Sequence, residues 1–274
     1  MNLALDLSEA PRPNEVTVHG PDAFVAMRKS GRFAAEVLDF ITPHVKPGVT
    51  TDELDKLCHD FQIKHDTVPG PLGYRGFPKS ICTSINHVVC HGIPGDRVLK
   101  DGDIINIDVT PIMEGWYGDT SRMFYTGDVK LKARRLCEVT YTAMMKGIEA
   151  VKPGAKLGDI GHAIQSYAEG QRFSVVRDFC GHGTGQIFHT LPNVMHYGQP
   201  GTGMMLEEGM IFTIEPMINA GRFETKILKN DGWTAVTCDR SLSAQFEHTI
   251  GVTADGVEIF TLSPKGYTCP PFES

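Results

Sequence analysis

A segment running Leu99-Lys-Asp-Gly-Asp-Ile-Ile-Asn-Ile-Asp108 lines up without a gap with Leu206-Glu-Glu-Gly-Met-Ile-Phe-Thr-Ile-Glu215. Leucine, acid, glycine, paired isoleucine positions and a terminal acid recur in the same order. Upstream, Val45-Lys46-Pro47-Gly48 recurs as Val151-Lys152-Pro153-Gly154, and each copy leads into a helix-like pattern ending near His65 or Gln171. The spacing is far longer than the ~20–50 residues of a solenoid repeat, so the chain is expected to be a duplicated helix-helix-strand unit closed about a pseudo-twofold axis.

Each half predicts a helix before the repeated loop (Asp22 to His44; Lys132 to Val151) and one after it (Thr51 to His65; Leu157 to Gln171). Segments Asp103 to Thr110, Trp116 to Tyr125, Met210 to Met217, Thr234 to Asp239 and Gln245 to Val252 mix β-branched and aromatic residues between Gly or Pro, which predicts strands paired as antiparallel hairpins. The class is α+β. Met1 to Pro21, punctuated by Pro11, Pro13 and Pro21, is expected to be a loosely attached lead-in, residues 1–21. Residues 22–274 then form one domain whose halves span about 22–127 and 128–262.

Composition removes several classes of function. Twenty-six Lys and Arg against 33 Asp and Glu give a net charge of -7 with no long basic tract, so direct nucleic-acid binding is not expected. The 7 cysteines are odd in number, scattered and never spaced as C-x-x-C, which predicts reduced thiols rather than a disulfide framework or a zinc ribbon. No signal-like start and no apolar run of bilayer-spanning length is present, so a cytoplasmic protein without membrane attachment is expected.

Asp108 and Asp119 fall on the two arms of a hairpin whose turn lies within Met113-Glu114-Gly115. A Met113-Glu114 loop sets them directly opposite, and a Glu114-Gly115 loop makes them diagonal neighbours on one face. Either register gathers two like charges, an arrangement compatible with a solvated surface pair or with a cation between them. The repeat adds weight to the cation, because Glu215 occupies the slot of Asp108 and Glu247 is an acid on a second strand-like run, as Asp119 is on the first. His182, inside Gly181-His-Gly-Thr-Gly185, is either a turn histidine or an imidazole aimed at a neighbour by its small flanks.

These residues reach a family. Asp108, Asp119, His182, Glu215 and Glu247 resemble, in order and local context, the five metal ligands of the type I methionine aminopeptidases. The resemblance runs from about Asp22 to Leu262 and includes Asn86-His-Val-Val-Cys-His-Gly-Ile-Pro94, Gly102-Asp-Ile-Ile-Asn-Ile-Asp108, Glu215-Pro-Met217 and Asp239-Arg-Ser-Leu-Ser-Ala-Gln-Phe-Glu-His-Thr249. It implies the pita-bread fold of the creatinase and aminopeptidase group, pseudo-symmetric halves around a curved antiparallel sheet. It also implies two divalent ions per chain, bridged by Asp119 and Glu247, with Asp108 completing one and His182 and Glu215 the other. Oxygen-rich ligands with one imidazole suit cobalt, manganese, iron or zinc.

By the same resemblance, His91 lies near the scissile nitrogen, His189 near the carbonyl oxygen, and Glu215 doubles as a proton shuttle. The methionine pocket maps onto Tyr74, Phe77, Cys82, Phe188 and Trp233, with Trp233 alternatively at the rim. Pro71 and Phe77 stand where relatives often carry cysteine and tyrosine, which bears on selectivity. The implied activity is hydrolysis of the initiator methionine from nascent chains before a small second residue. The implied partners are nascent N-termini and, transiently, the ribosome, and the expected state is a monomer. Two alternatives stand beside it: a proline-directed aminopeptidase of the same fold, whose members usually carry an extra N-terminal domain, and a metal-free binding module, which would lack ligands.

Overall fold

The computed structural model describes residues 15–272, and most of the lead-in, residues 1–14, lies outside them. Four helices form where the pattern predicts: α1 (Pro21–Ile41), α2 (Thr51–Lys64), α3 (Leu131–Glu149) and α4 (Leu157–Gly170). A short 3-10 turn, Thr42–His44, continues α1. Thr50 and Glu53 cap α2 reciprocally: the Glu53 N–H donates to Thr50 Oγ1 at 3.2 Å and the Thr50 N–H to Glu53 Oε2 at 2.7 Å.

The two sequence repeats touch one another in the same way in each half. Gly48 N–H donates to the Leu99 carbonyl and Gly154 N–H to the Leu206 carbonyl, both at 2.9 Å. Leu99 N–H returns a bond to Val49, and Leu206 N–H to Ala155, both at 2.8 Å. The repeated loops are therefore locks that seat the second helix of each half against the strand that follows.

That strand enters an eight-stranded antiparallel sheet ordered Thr190–Val194, Gly181–Gly183, Ile211–Ile214, Glu247–Val252, Thr120–Thr126, Asp103–Val109, Cys82–Ile85, with Val257–Ile259 paired to Glu247–Val252. Outward from the central pair, the order in one half mirrors that in the other, as the duplication requires. The seam is Glu247 opposite Ser121 and His248 opposite Thr120. Here Thr120 Oγ1 donates to the Glu247 carbonyl and Thr249 Oγ1 to the Asp119 carbonyl, both at 2.7 Å.

Period two sorts each strand between faces. Ile105, Ile107 and Val109 join Phe33, Leu38, Leu54 and Phe124 in one buried cluster beneath α1 and α2. Ile214, Ile250 and Phe246 join residues of α3 and α4 in the other. Asn106 and Asp108 are left on the opposite, concave face.

Four expectations are corrected. Trp116 to Tyr125 is not one strand, because Trp116–Tyr117 pairs with Pro111–Met113 in a separate small sheet and the main sheet resumes at Thr120. The break falls at Gly118, where a Cβ would lie 2.2 Å from the Ser30 carbonyl oxygen, so helix α1 dictates the kink. Met210 to Met217 likewise breaks at Glu215-Pro216, and Gln245 to Val252 at Phe246. Finally, the described end of the lead-in is not loose: Val16 bridges to Leu191, Val18 bridges to Met210, and the His19 N–H donates to the Gly209 carbonyl at 2.8 Å.

Candidate metal centre

The hairpin settles into the Glu114-Gly115 loop, with Met113 opposite Trp116 and positive φ at both turn residues, 51° and 83°. Asp108 then faces Ser121, which makes Asp119 its diagonal neighbour. Asp119, His182 and Glu247 each bring one ligand-type atom to within 4.8 Å of the others, and all three are buried. Glu215 joins through His182, its Oε1 standing 3.6 Å from Nε2, while Asp119 Oδ2 stands 3.5 Å from the same nitrogen. Asp108 lines the same cavity.

The tautomer of His182 makes this contact informative. Its Nδ1 lies 3.1 Å from the Gly183 carbonyl, which can only accept, so the ring proton sits on Nδ1. Burial lowers the imidazole pKa to about 4, leaving Nε2 a bare lone pair near neutral pH. That lone pair faces two carboxylate oxygens, acceptors against an acceptor. Burial raises the carboxyls of Asp108, Asp119, Glu215 and Glu247, and mutual charge raises Asp119, Glu215 and Glu247 further. Asp108 Oδ1 is buried with no hydrogen-bond partner. Four acids, one neutral imidazole and an unpartnered oxygen form a donor set that fits divalent cations.

Several residues that hold this set were not singled out by the sequence reading. Thr110 Oγ1 donates to Asp119 Oδ1 at 2.7 Å, Thr213 Oγ1 to Glu215 Oε1 at 2.7 Å, and Gln245 Nε2 to Glu215 Oε2 at 3.2 Å. Thr213 Oγ1 also accepts the His182 N–H at 3.0 Å, so one hydroxyl aligns two candidate ligands. The signal was available: each lies two residues from a candidate acid, where period two puts side chains on one face. His196, given no role from sequence, accepts the Glu215 N–H on Nε2 at 3.1 Å; only tertiary packing reveals it. His248 faces away, its Nδ1 2.8 Å from Thr261 Oγ1.

The cluster floors a cleft of about 340 Å³. Its walls include every predicted pocket residue: Tyr74, Phe77, Cys82, Phe188 and Trp233. Phe77 and Trp233 meet edge to face at 5.3 Å, and Tyr74 leans on Phe188 at 4.9 Å. Pro71, flagged in the sequence for its bearing on selectivity, lines it too, and Phe179, Cys180 and Met217, not predicted, complete the apolar lining. His189 lies 4.1 Å from the His182 ring and His91 packs edge-on to Phe179 at 5.5 Å. Burial drives both rings neutral, His91 to about 4 and His189 to about 2, the latter helped by neighbouring imidazoles. Neutral rings still donate one N–H each.

A duplicated curved sheet with acids and an imidazole at its seam, flooring an apolar cleft, defines a metal-dependent hydrolase. Residues 25–254 match Metallopeptidase family M24. The methionine aminopeptidase of Rickettsia prowazekii is 65% identical over 257 residues, covering 94% of this chain and 99% of that protein. The crystal structure of the Rickettsia prowazekii methionine aminopeptidase superposes with a TM-score of 0.90 over 90% of this chain and 100% of that one. The Thermotoga maritima methionine aminopeptidase reaches 0.88 at 38% identity, over 90% of this chain and 99% of that one. A prolidase from Pyrococcus horikoshii, 20% identical with a TM-score of 0.68 over 89% of this chain and 63% of its own, shares the fold alone. The chain belongs to Metallopeptidase family M24 and, within it, to the type I methionine aminopeptidases. It is a metallo-exopeptidase that removes methionine from protein N-termini.

Proposed function

We propose that Asp108, Asp119, His182, Glu215 and Glu247 hold two divalent ions, with Asp119 and Glu247 shared between them. The observation that carries this reading is the bare Nε2 of His182 facing Asp119 Oδ2 at 3.5 Å and Glu215 Oε1 at 3.6 Å, a set of acceptors that, once the acids ionise, calls for a cation among them. Cations held there lower the pKa of water from ~15.7 toward ~7 and so supply a nucleophile near neutral pH. Cobalt, manganese, iron and zinc all suit the donors, and cellular supply chooses among them.

The chain's own residues do the rest. Coordination positions that these five side chains leave open would, with ions bound, take the substrate α-amine, whose solution pKa near ~8 keeps a neutral fraction, and this would confine cleavage to the first residue. The thioether enters the slot of Tyr74, Phe77, Cys82, Phe188 and Trp233, where aromatic edges favour sulfur by ~0.3–1.5 kcal/mol. His189 donates to the carbonyl oxygen as it gains charge, and His91 donates near the scissile nitrogen. Glu215, aligned by Thr213 and Gln245, carries the proton from the attacking water to the leaving amine. The preference for a small second residue is carried over from the family resemblance.

In the cell, this reading makes nascent N-termini the substrate, with transient ribosome contact, in a monomeric cytoplasmic enzyme. Seven unpaired cysteines support a reducing compartment. The domain reading is a single catalytic unit, 22–274, of two halves, supported by the matching repeat locks. The test is incubation of metal-loaded protein with Met-Ala-Ser and Ala-Pro-Ala, with and without chelator. Chelator-sensitive release of methionine is expected; cleavage of the proline peptide alone would reassign the specificity.

A further inference from the structure

The mouth of the cleft carries one cation that the proposed chemistry does not use. Arg75 is the only lysine or arginine among the residues lining the cavity, and it is exposed. Among the described residues no carboxylate lies within ion-pair distance of it. Its guanidinium carbon stands 5.3 Å from the Tyr74 ring centroid, so the charge lies against the aromatic wall of the cleft. Its field reaches inward too, being one of the influences that keep His189 neutral.

The backbone is bent to present this side chain. Arg75 has φ 46°, a left-handed conformation uncommon for a residue with a Cβ, and it sits between Gly73 and Gly76, which also have positive φ. Asp178, another mouth residue, already accepts a hydrogen bond from Thr225 Oγ1 at 2.5 Å, whereas Arg75 has its guanidinium donors free of any acid. A peptide whose methionine fills the floor must leave through this mouth.

Resting on the peptide-binding reading above, we propose that Arg75 is a specificity-determining residue that engages a carboxylate carried by the peptide beyond its second residue. Two sources offer that chemistry: an acidic side chain at the third position, or the free C-terminal carboxylate of a very short peptide. An exposed guanidinium with a flexible partner changes affinity by about fivefold at low salt, and the change falls on KM, because the contact is remote from the bond that breaks.

The test uses the metal-loaded enzyme and the C-terminally amidated peptides Met-Ala-Asp-Gly, Met-Ala-Ser-Gly and Met-Ala-Lys-Gly, with Met-Ala-Ser compared as free acid and amide. The aspartate peptide is expected to exceed the lysine peptide about fivefold in kcat/KM, through KM, with R75A bringing the ratio close to one and R75E inverting it. A free-acid advantage for Met-Ala-Ser that R75A removes extends the site to the C-terminal carboxylate; with no such advantage, the side-chain source alone remains. A charge ratio unchanged in R75A, or an equal loss of kcat on every peptide, overturns the proposal. Should R75A fail to fold, the wild-type ratio must shrink between about 50 and 500 mM salt, and a ratio indifferent to salt overturns it equally. Absence of cleavage of any methionine peptide overturns the peptide-binding reading itself; cleavage blind to charge overturns only this inference.

Discussion

Asp39 and the cluster of buried Asp119 and Glu247 with half-buried Asp108 and Glu215 are acids served by the same central sheet, and they are compensated in opposite ways. Asp39, on α1, receives Arg122 Nη1 at 2.8 Å, Ser263 Oγ at 2.8 Å and the Lys265 N–H at 3.3 Å. Arg122 belongs to the same strand that starts beside Asp119. On the concave side, by contrast, the acids meet only hydroxyls, an amide and a neutral imidazole. One buried charge is balanced within the chain. Under the proposed assignment the other set would gain its balance from outside, from the cations it is proposed to hold.

The largest expected effect is on catalysis at the unbalanced site. E247Q or D108N should lose at least one metal, measured by metal analysis of the purified protein, and reduce turnover by about a thousandfold. Metal content and kcat equal to the parent would contradict the assignment of those ligands. H189A, which removes a donor rather than a ligand, should retain metal and raise the barrier by ~2.7–4 kcal/mol, read in kcat.

Stability separates the two acid sites by sign. Truncating the buried pair with R122A should destabilise the protein by about 3–5 kcal/mol in urea unfolding, because buried Asp39 loses its counter-ion and keeps only Ser263 and the Lys265 N–H. E247Q should instead leave the metal-free protein at least as stable as the parent, with an advantage that grows as pH rises and the remaining acids lose their protons, since the amide cannot ionise. Two losses of similar size would erase the distinction.

The pH dependence follows from the raised carboxyls. In the metal-free folded state Asp108 and Glu215 keep their protons up to about 7 and about 8, whereas in the unfolded chain they titrate near ~4. Between those values the folded state binds more protons, so stability is full below pH ~4 and declines as pH rises toward 8. Bound metal should flatten that slope, and thermal unfolding with and without chelator across this range would detect it. The smallest expected effect is that of T213V, which frees Glu215 and His182 from their shared hydroxyl and should weaken metal affinity about tenfold by calorimetry.

Much of this was legible in sequence because the duplication writes the same instruction twice. The repeats at Val45 and Val151, and at Leu99 and Leu206, turned out to be bonded partners, so the signal that announced two halves is also what builds each one. The four helices followed from local pattern and from the repeated loop between them. Hairpin register stayed open between two loops until Glu114 and Gly115 adopted their positive φ. The strand breaks at Gly118 and Pro216 were not readable, since distant backbone imposes the first and the site's own geometry accompanies the second. His196 was invisible for a related reason: it meets the Glu215 N–H only once folding brings the two together.

The central claim is that the space between His182 Nε2 and the facing carboxylates is a cation site. Anomalous diffraction from crystals grown with manganese or cobalt tests it without reference to activity. Two peaks enclosed by Asp108, Asp119, His182, Glu215 and Glu247 are expected. A map with no peak there, under metal concentrations that support methionine release, would contradict the account.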